Sequence, residues 1–130
     1  LPGLESPFLK YGVDLGFWGH MHYYERFYPV ANKKYWNSPN CYHNAVAPTY
    51  VLTGSARKEV GSIQVITQAS KETTSRINQY GYTIMTVANS THIHLEQISI
   101  DKDEAVVDEF WLSKDAGFVA TEEMRSVVNS

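Results

Sequence analysis

Leu15-Gly16-Phe17-Trp18 is an apolar run of the length of a buried strand, and it leads without a break into Gly19-His20-Met21-His22-Tyr23-Tyr24-Glu25-Arg26. A chain with this junction must fold so that a core strand delivers two imidazoles to one place. Gly19 stands between strand and histidines, where a chain can turn tightly or bring its backbone close to something bound. In extended backbone, residues i and i+2 point the same way, roughly 7 Å apart at about 3.3 Å rise per residue. That spacing suits two ring nitrogens on one metal ion, or one nitrogen on each ion of a pair about 3.5–4 Å apart. Neutral imidazole is the commonest side-chain metal ligand. The plainer alternative is two polar residues on the wet side of a strand end.

The stretch from Lys10 to Arg26 resembles the last metal-binding block of the purple acid phosphatases, within the calcineurin-like metallophosphoesterases. That block reads Gly-His-x-His-x-Tyr-Glu-Arg, matched here by Gly19, His20, His22, Tyr24, Glu25 and Arg26. Thr49-Tyr50-Val51-Leu52-Thr53-Gly54-Ser55-Ala56 looks like the family's next strand and its Thr-Gly-rich turn. The tail from Tyr80-Gly81-Tyr82 through Asn89-Ser90-Thr91-His92 to Trp111 looks like its C-terminal strands, so the resemblance runs from about Leu4 to about Asp115.

The resemblance implies an α/β fold, specifically the C-terminal part of an α-β-β-α metallophosphoesterase sandwich, with mostly β-strands in this stretch. Residues 1–47 would end the catalytic domain, 48–115 would form the C-terminal strand region and 116–130 a tail. It also implies an acid phosphatase that hydrolyses phosphate monoesters at a dinuclear metal centre, Fe(III) with Zn(II), Mn(II) or Fe(II). His20 would hold the divalent ion and His22 the ferric one. Two adjacent ions neutralise the charge of the ester, lower the pKa of a bound water and align the attack. Glu25 and Arg26 would hold the loop's geometry through hydrogen bonds, with Tyr24 and Tyr23 as aromatic walls; such support tunes ligand orientation.

The family's remaining ligands lie in upstream blocks, and neither Gly-Asp-x-x-Tyr nor Gly-Asn-His-Glu occurs here. The expectation is a C-terminal part of a longer enzyme, whose partner is the upstream part of the same chain. Alone, this stretch would hydrolyse little or nothing. Two other readings compete with it: a catalytically inactive relative, and an extracellular β-rich binding module in which His20 and His22 are incidental.

Apolar residues make up 43% of the 130, which argues against disorder. A formal charge of −3 with interspersed acids and bases gives no nucleic-acid groove and no basic membrane face. No apolar run approaches the roughly 18 residues of a membrane span. The lone Cys41 has no partner within the chain, so it is either a small buried hydrophobe or pairs upstream of Leu1. In many animal relatives a cysteine follows the turn that Gly54-Ser55-Ala56 resembles; Arg57 and Lys58 stand there here. Asn89-Ser90-Thr91 is an acceptor sequence for N-glycosylation between two strand-like runs. With the family's habit of carrying such sites, it points to a secreted or lumenal (extracellular or lysosomal) protein.

Along the chain, Leu4 to Tyr11 reads as a helix ended by Gly12, and residues 32–48 as a loop. Thr49 to Thr53, Tyr82 to Val87, Thr91 to Ile100 and Ala105 to Leu112 read as strands, with Asp101 to Glu104 as a hairpin turn. Glu59 to Thr74 reads as irregular, and Thr121 to Val128 as a helical turn or a tail. A second His-x-His, His92-Ile93-His94, falls in an alternating strand and is expected to face solvent with Glu96. His43 is expected on the surface of the long loop.

Overall fold

The computed structural model describes residues 3–55 and 73–126. A short helix α1 (Glu5–Lys10) has an acid in its first turn and a base in its last, which suits the helix dipole. Gly12 follows with a φ of +66°, the left-handed conformation that ends many helices. The chain then enters β1 (Leu15–Trp18), which pairs in parallel with β5 (Thr49–Thr53). On the other side of β5 lies β2 (Tyr24–Phe27), antiparallel to it, and beyond β2 lies β6 (Thr73–Ile77). The sheet order is therefore β1-β5-β2-β6, and the sheet runs across the expected boundary at 47/48.

β7 (Gly81–Val87), β8 (His92–Ser99) and β9 (Ala105–Ser113) form an antiparallel second sheet. Its β8–β9 turn has Asp103 and Glu104 at φ of 54° and 61°, preceded by a 3-10 turn over Ile100–Lys102. Tyr24 and Val51 of the first sheet meet Leu95, Phe110 and Leu112 of the second, forming the core between the sheets. Burying side chains of this size stabilises by about 1.5–3 kcal/mol each. A polar ladder crosses the same interface. Thr53 Oγ1 lies 2.7 Å from Thr83 Oγ1, which donates to Gln97 Oε1 at 2.6 Å, and Gln97 Nε2 donates to Ser55 Oγ at 3.0 Å. The carboxyl end of β5 is thereby pinned to the second sheet. A last helix, α2, covers Glu122–Ser126. Among the described residues no helix is long and apolar enough to cross a membrane.

Three expectations need correction. β1 is not fully buried: Phe17 and Trp18 are 41% and 43% exposed, and among the described residues β1 pairs with β5 alone and nothing covers these two side chains completely. Part of the expected loop at 32–48 is a small hairpin of β3 (Val30–Ala31) and β4 (Lys34–Tyr35). Asn32 and Lys33 turn it with φ of 51° and 63°, as a two-residue hairpin loop requires. Thr73 and Thr74, expected to be irregular, belong to β6, where Thr73 pairs with Phe27; residues 59–72 lie outside the described residues.

Candidate metal site

Between Trp18 and Tyr24 the chain passes from one side of β5 to the other, since Trp18 is opposite Leu52 and Tyr24 is opposite Thr53. Five residues, 19–23, make that crossing over the carboxyl end of β5. Ligand sites in sheets with parallel strands gather at such ends. The crossing is tight. A Cβ built on Gly54 would stand 1.7 Å from Met21 O and 2.8 Å from its carbonyl carbon, so only glycine fits beneath the loop. Gly54 N–H also donates to Tyr23 O at 3.1 Å.

His20 sits at the bend. Its φ is +75°, and Met21 N–H donates to Gly19 O at 3.0 Å, the features of the rare, strained γ-turn. A non-glycine residue held this way costs on the order of 1–3 kcal/mol and is found preferentially at functional sites. His20 is exposed and His22 is half-buried. The two histidines are therefore not in extended backbone, as the spacing alone suggested, because the chain must reverse direction around β5. The left-handed conformation falls on His20 and not on Gly19, whose Cβ position meets nothing within 4 Å among the described residues.

Downstream, β2 is clamped on both faces. Tyr24 Oη donates to Asp108 Oδ2 at 2.6 Å. Arg26 donates to the same carboxylate through Nε and Nη2, both at 2.8 Å, a bidentate pair. The Arg26 guanidinium lies 4.7 Å from the Phe110 ring centre and donates through Nη1 to Tyr42 Oη at 3.1 Å. Burial opposes its charge, but Asp108 and Tyr42 outweigh burial and hold it protonated above its usual range. Burial, aided by Asp108, also pushes the Tyr24 phenol far above its ordinary value, so Tyr24 stays a donor and its hydroxyl is committed to Asp108. On the other face, buried Glu25 accepts from Arg76 Nη2 at 2.8 Å and from Thr73 Oγ1 at 2.5 Å. The Arg76 guanidinium in turn lies 5.1 Å from the centre of the Tyr23 ring.

Sequence reasoning missed Gly54's part in the crossing, and missed Arg76, Thr73 and Asp108 altogether. A signal existed for Asp108: it stands two residues before Phe110 in β9 and so on the same side of the strand, where an acid needs a partner.

Two imidazoles suit zinc- and iron-class ions. A catalytic zinc ion takes about three protein ligands, so this pair fits part of such a metal centre and not a whole one. Among the described residues, the group of three or more His, Cys, Asp or Glu able to approach one ion lies elsewhere, at His94, Glu96 and Glu109. There His94 Nδ1 lies 3.1 Å from Glu96, while Nε2 lies 3.2 Å from Glu109. Opposite ring nitrogens serve opposite carboxylates, so the imidazole bridges them instead of converging with them on one point. The ring also stacks on Trp111 at 4.5 Å and its side chain is only 15% exposed, short of the solvent-facing expectation. His43 is exposed and lies 2.9 Å from Ser113 Oγ, as a surface residue would. Cys41 is a buried free thiol whose pKa burial raises. Asn89 is exposed on the β7–β8 turn, and its Oδ1 accepts from Thr91 N–H and Thr91 Oγ1, each at 2.9 Å.

Residues 47–109 match the family model described as "Iron/zinc purple acid phosphatase-like protein C". The chain is 40% identical to mouse (Mus musculus) acid phosphatase type 7 over 112 residues, covering 85% of this chain and 26% of the relative. It is 30% identical over 114 residues to the Fe(3+)-Zn(2+) purple acid phosphatase 12 of Arabidopsis thaliana, covering 83% of this chain and 24% of the relative. Its fold is similar to that of a purple acid phosphatase from yellow lupin (Lupinus luteus) seeds. The TM-score is 0.75 at 22% identity, over 91% of this chain and 20% of the other. The chain thus spans about a quarter of the length of the curated relatives it matches. With two larger sheets and the small β3–β4 hairpin, mostly β-strands of an α/β metallophosphoesterase fold, it belongs to the purple acid phosphatase family and matches the C-terminal part of its members.

Proposed function

We propose that the chain is the C-terminal part of a dinuclear-metal acid phosphatase acting on phosphate monoesters. His20 contributes one ligand to the divalent ion and His22 one to the ferric ion. The observation that carries this reading is the strained turn at His20, laid across the carboxyl end of β5 over a glycine that nothing larger could replace. A loop held at such cost, with two imidazoles in it, is better explained by ligation than by solvation. A metal pair there would supply charge neutralisation and in-line alignment of the ester. The chain's own residues would hold that geometry: β1 and β5 carry the loop, and Tyr24, Glu25 and Arg26 fix its exit.

Residues 1–47 complete the catalytic domain, residues 48–115 supply β5 and β6 to its sheet together with the three-stranded sheet, and residues 116–130 form a tail. Asn89, exposed on its turn, carries an N-linked glycan, and the protein is secreted or lumenal. Because two imidazoles are only part of a ligand set, this stretch alone hydrolyses little or nothing.

Replacing both His20 and His22 by alanine in the full-length protein tests the assignment. Phosphate release should fall to background and bound metal should fall with it. Near-normal activity in the double variant would refute the metal assignment, and appreciable metal-dependent turnover by the 130-residue chain alone would refute its dependence on the rest.

A further inference from the structure

We propose that Asp108, in the second sheet, is a positioning residue for the metal loop, so that metal affinity at His20 and His22 depends on it. The proposal rests on the metal reading of those two histidines. One carboxylate receives three hydrogen bonds from β2: 2.6 Å from Tyr24 and 2.8 Å from each of two Arg26 nitrogens. Tyr24 and Arg26 alternate along β2, so both face Asp108, and they stand two and four residues after His22. The pair is shielded from water, with side-chain exposures of 11% and 10%.

Backbone bonds also tie the loop, at Gly19–Met21 and Tyr23–Gly54. A short loop bent against its own preference at His20 can hold its side chains in place only if both ends are fixed. β5 fixes the near end by parallel pairing with β1. Asp108 fixes the far end by locking two successive inward side chains of β2. Removing its charge would leave the Arg26 guanidinium buried without its anion, and β2 would then shift to rehydrate it. The displacement would reach the histidines through only one intervening residue, Tyr23.

The test compares full-length wild type, Asp108→Asn and Ile98→Ala, a core truncation in the second sheet at a residue that is buried and outside the cluster around Tyr24. Iron and zinc stoichiometry and chelator-competition affinity are measured beside the thermal midpoint and steady-state kinetics. Asp108→Asn should weaken binding of the more loosely held metal about tenfold, the low end of what losing a support for metal ligands costs. Its activity should return with added metal, and KM for the ester at saturating metal should match wild type. Ile98→Ala should lower the midpoint yet keep wild-type metal affinity. Should Asp108→Asn not fold, Tyr24→Phe, which removes one of the three bonds, should show a smaller loss of affinity in folded protein. Wild-type metal affinity in a folded Asp108 or Tyr24 variant, or equal loss in Ile98→Ala, would overturn the positioning role. If wild type itself holds no metal, the functional reading fails first, and this one with it.

Discussion

Gly54→Ala perturbs the candidate site without removing any of its donors. The φ of Gly54 lies outside the left-handed region, so alanine meets no backbone strain there, and the effect is one of space alone. The added Cβ would stand 1.7 Å from Met21 O. Reaching an ordinary carbon–oxygen separation of about 3.3 Å requires the two backbones to part by about 1.6 Å. β5 cannot yield, because Thr53 and Ser55 on either side of Gly54 are bonded to Thr83, Gln97 and Gly81 of the second sheet. The loop must move instead, and Met21 lies between the two histidines.

Misplacing catalytic groups by about 1 Å can cost on the order of 100-fold in rate, equivalent to about 2.7 kcal/mol of transition-state stabilisation. In the full-length protein, Gly54→Ala should therefore lower kcat/KM for a chromogenic phosphate monoester at least about 100-fold, with reduced metal content. The fold itself should lose only about 1–3 kcal/mol, the usual cost of overpacking. Gly19→Ala is the contrasting variant, since among the described residues a Cβ there meets nothing within 4 Å; it should lower kcat/KM far less than Gly54→Ala does. A Gly54→Ala protein with full metal content and kcat/KM close to wild type would refute the claim that the loop rests on this glycine.

Arg76→Met should destabilise the fold by about 3–5 kcal/mol in urea unfolding, because it leaves the Glu25 carboxylate buried without its cation; a change below 1 kcal/mol would mean that the pair is replaceable. Stability should fall at alkaline pH. Burial raises Tyr24, Tyr42, Tyr50 and Cys41 above their ordinary values, so the folded protein keeps protons that the unfolded chain releases above about pH 9–10. The Tyr24 share is fully present below pH 10 and is lost at about 1.4 kcal/mol per pH unit above it, so Tyr24→Phe should flatten the decline in urea midpoint between pH 10 and 11. Thr91→Ala should abolish a glycosidase-sensitive mobility shift in protein secreted from eukaryotic cells; a persistent shift would remove Asn89 as the attachment point.

What could be read from the chain was local. β5, β8 and β9 announce themselves through β-branched or alternating residues, and the Gly19–Arg26 block through residue types at fixed spacing. β3 and β4 did not, because two-residue strands have no period to detect; their one signal is Asn32 at the turn. The bend at His20 was hidden for a different reason. Nothing near residue 20 says that a strand 30 residues later will insert between β1 and β2, and only that insertion forces the loop to cross rather than extend. The same holds for Asp108, which meets Arg26 across 82 residues of sequence. On the proposed reading the motif supplies the atoms that could bind a metal, whereas Gly54, Asp108 and Arg76, all outside the motif, hold their arrangement. A block transplanted without those three residues should keep its donors and lose their arrangement. For that reason, substitutions at Gly54 and Asp108 test the site more stringently than a further scan of the histidine block would.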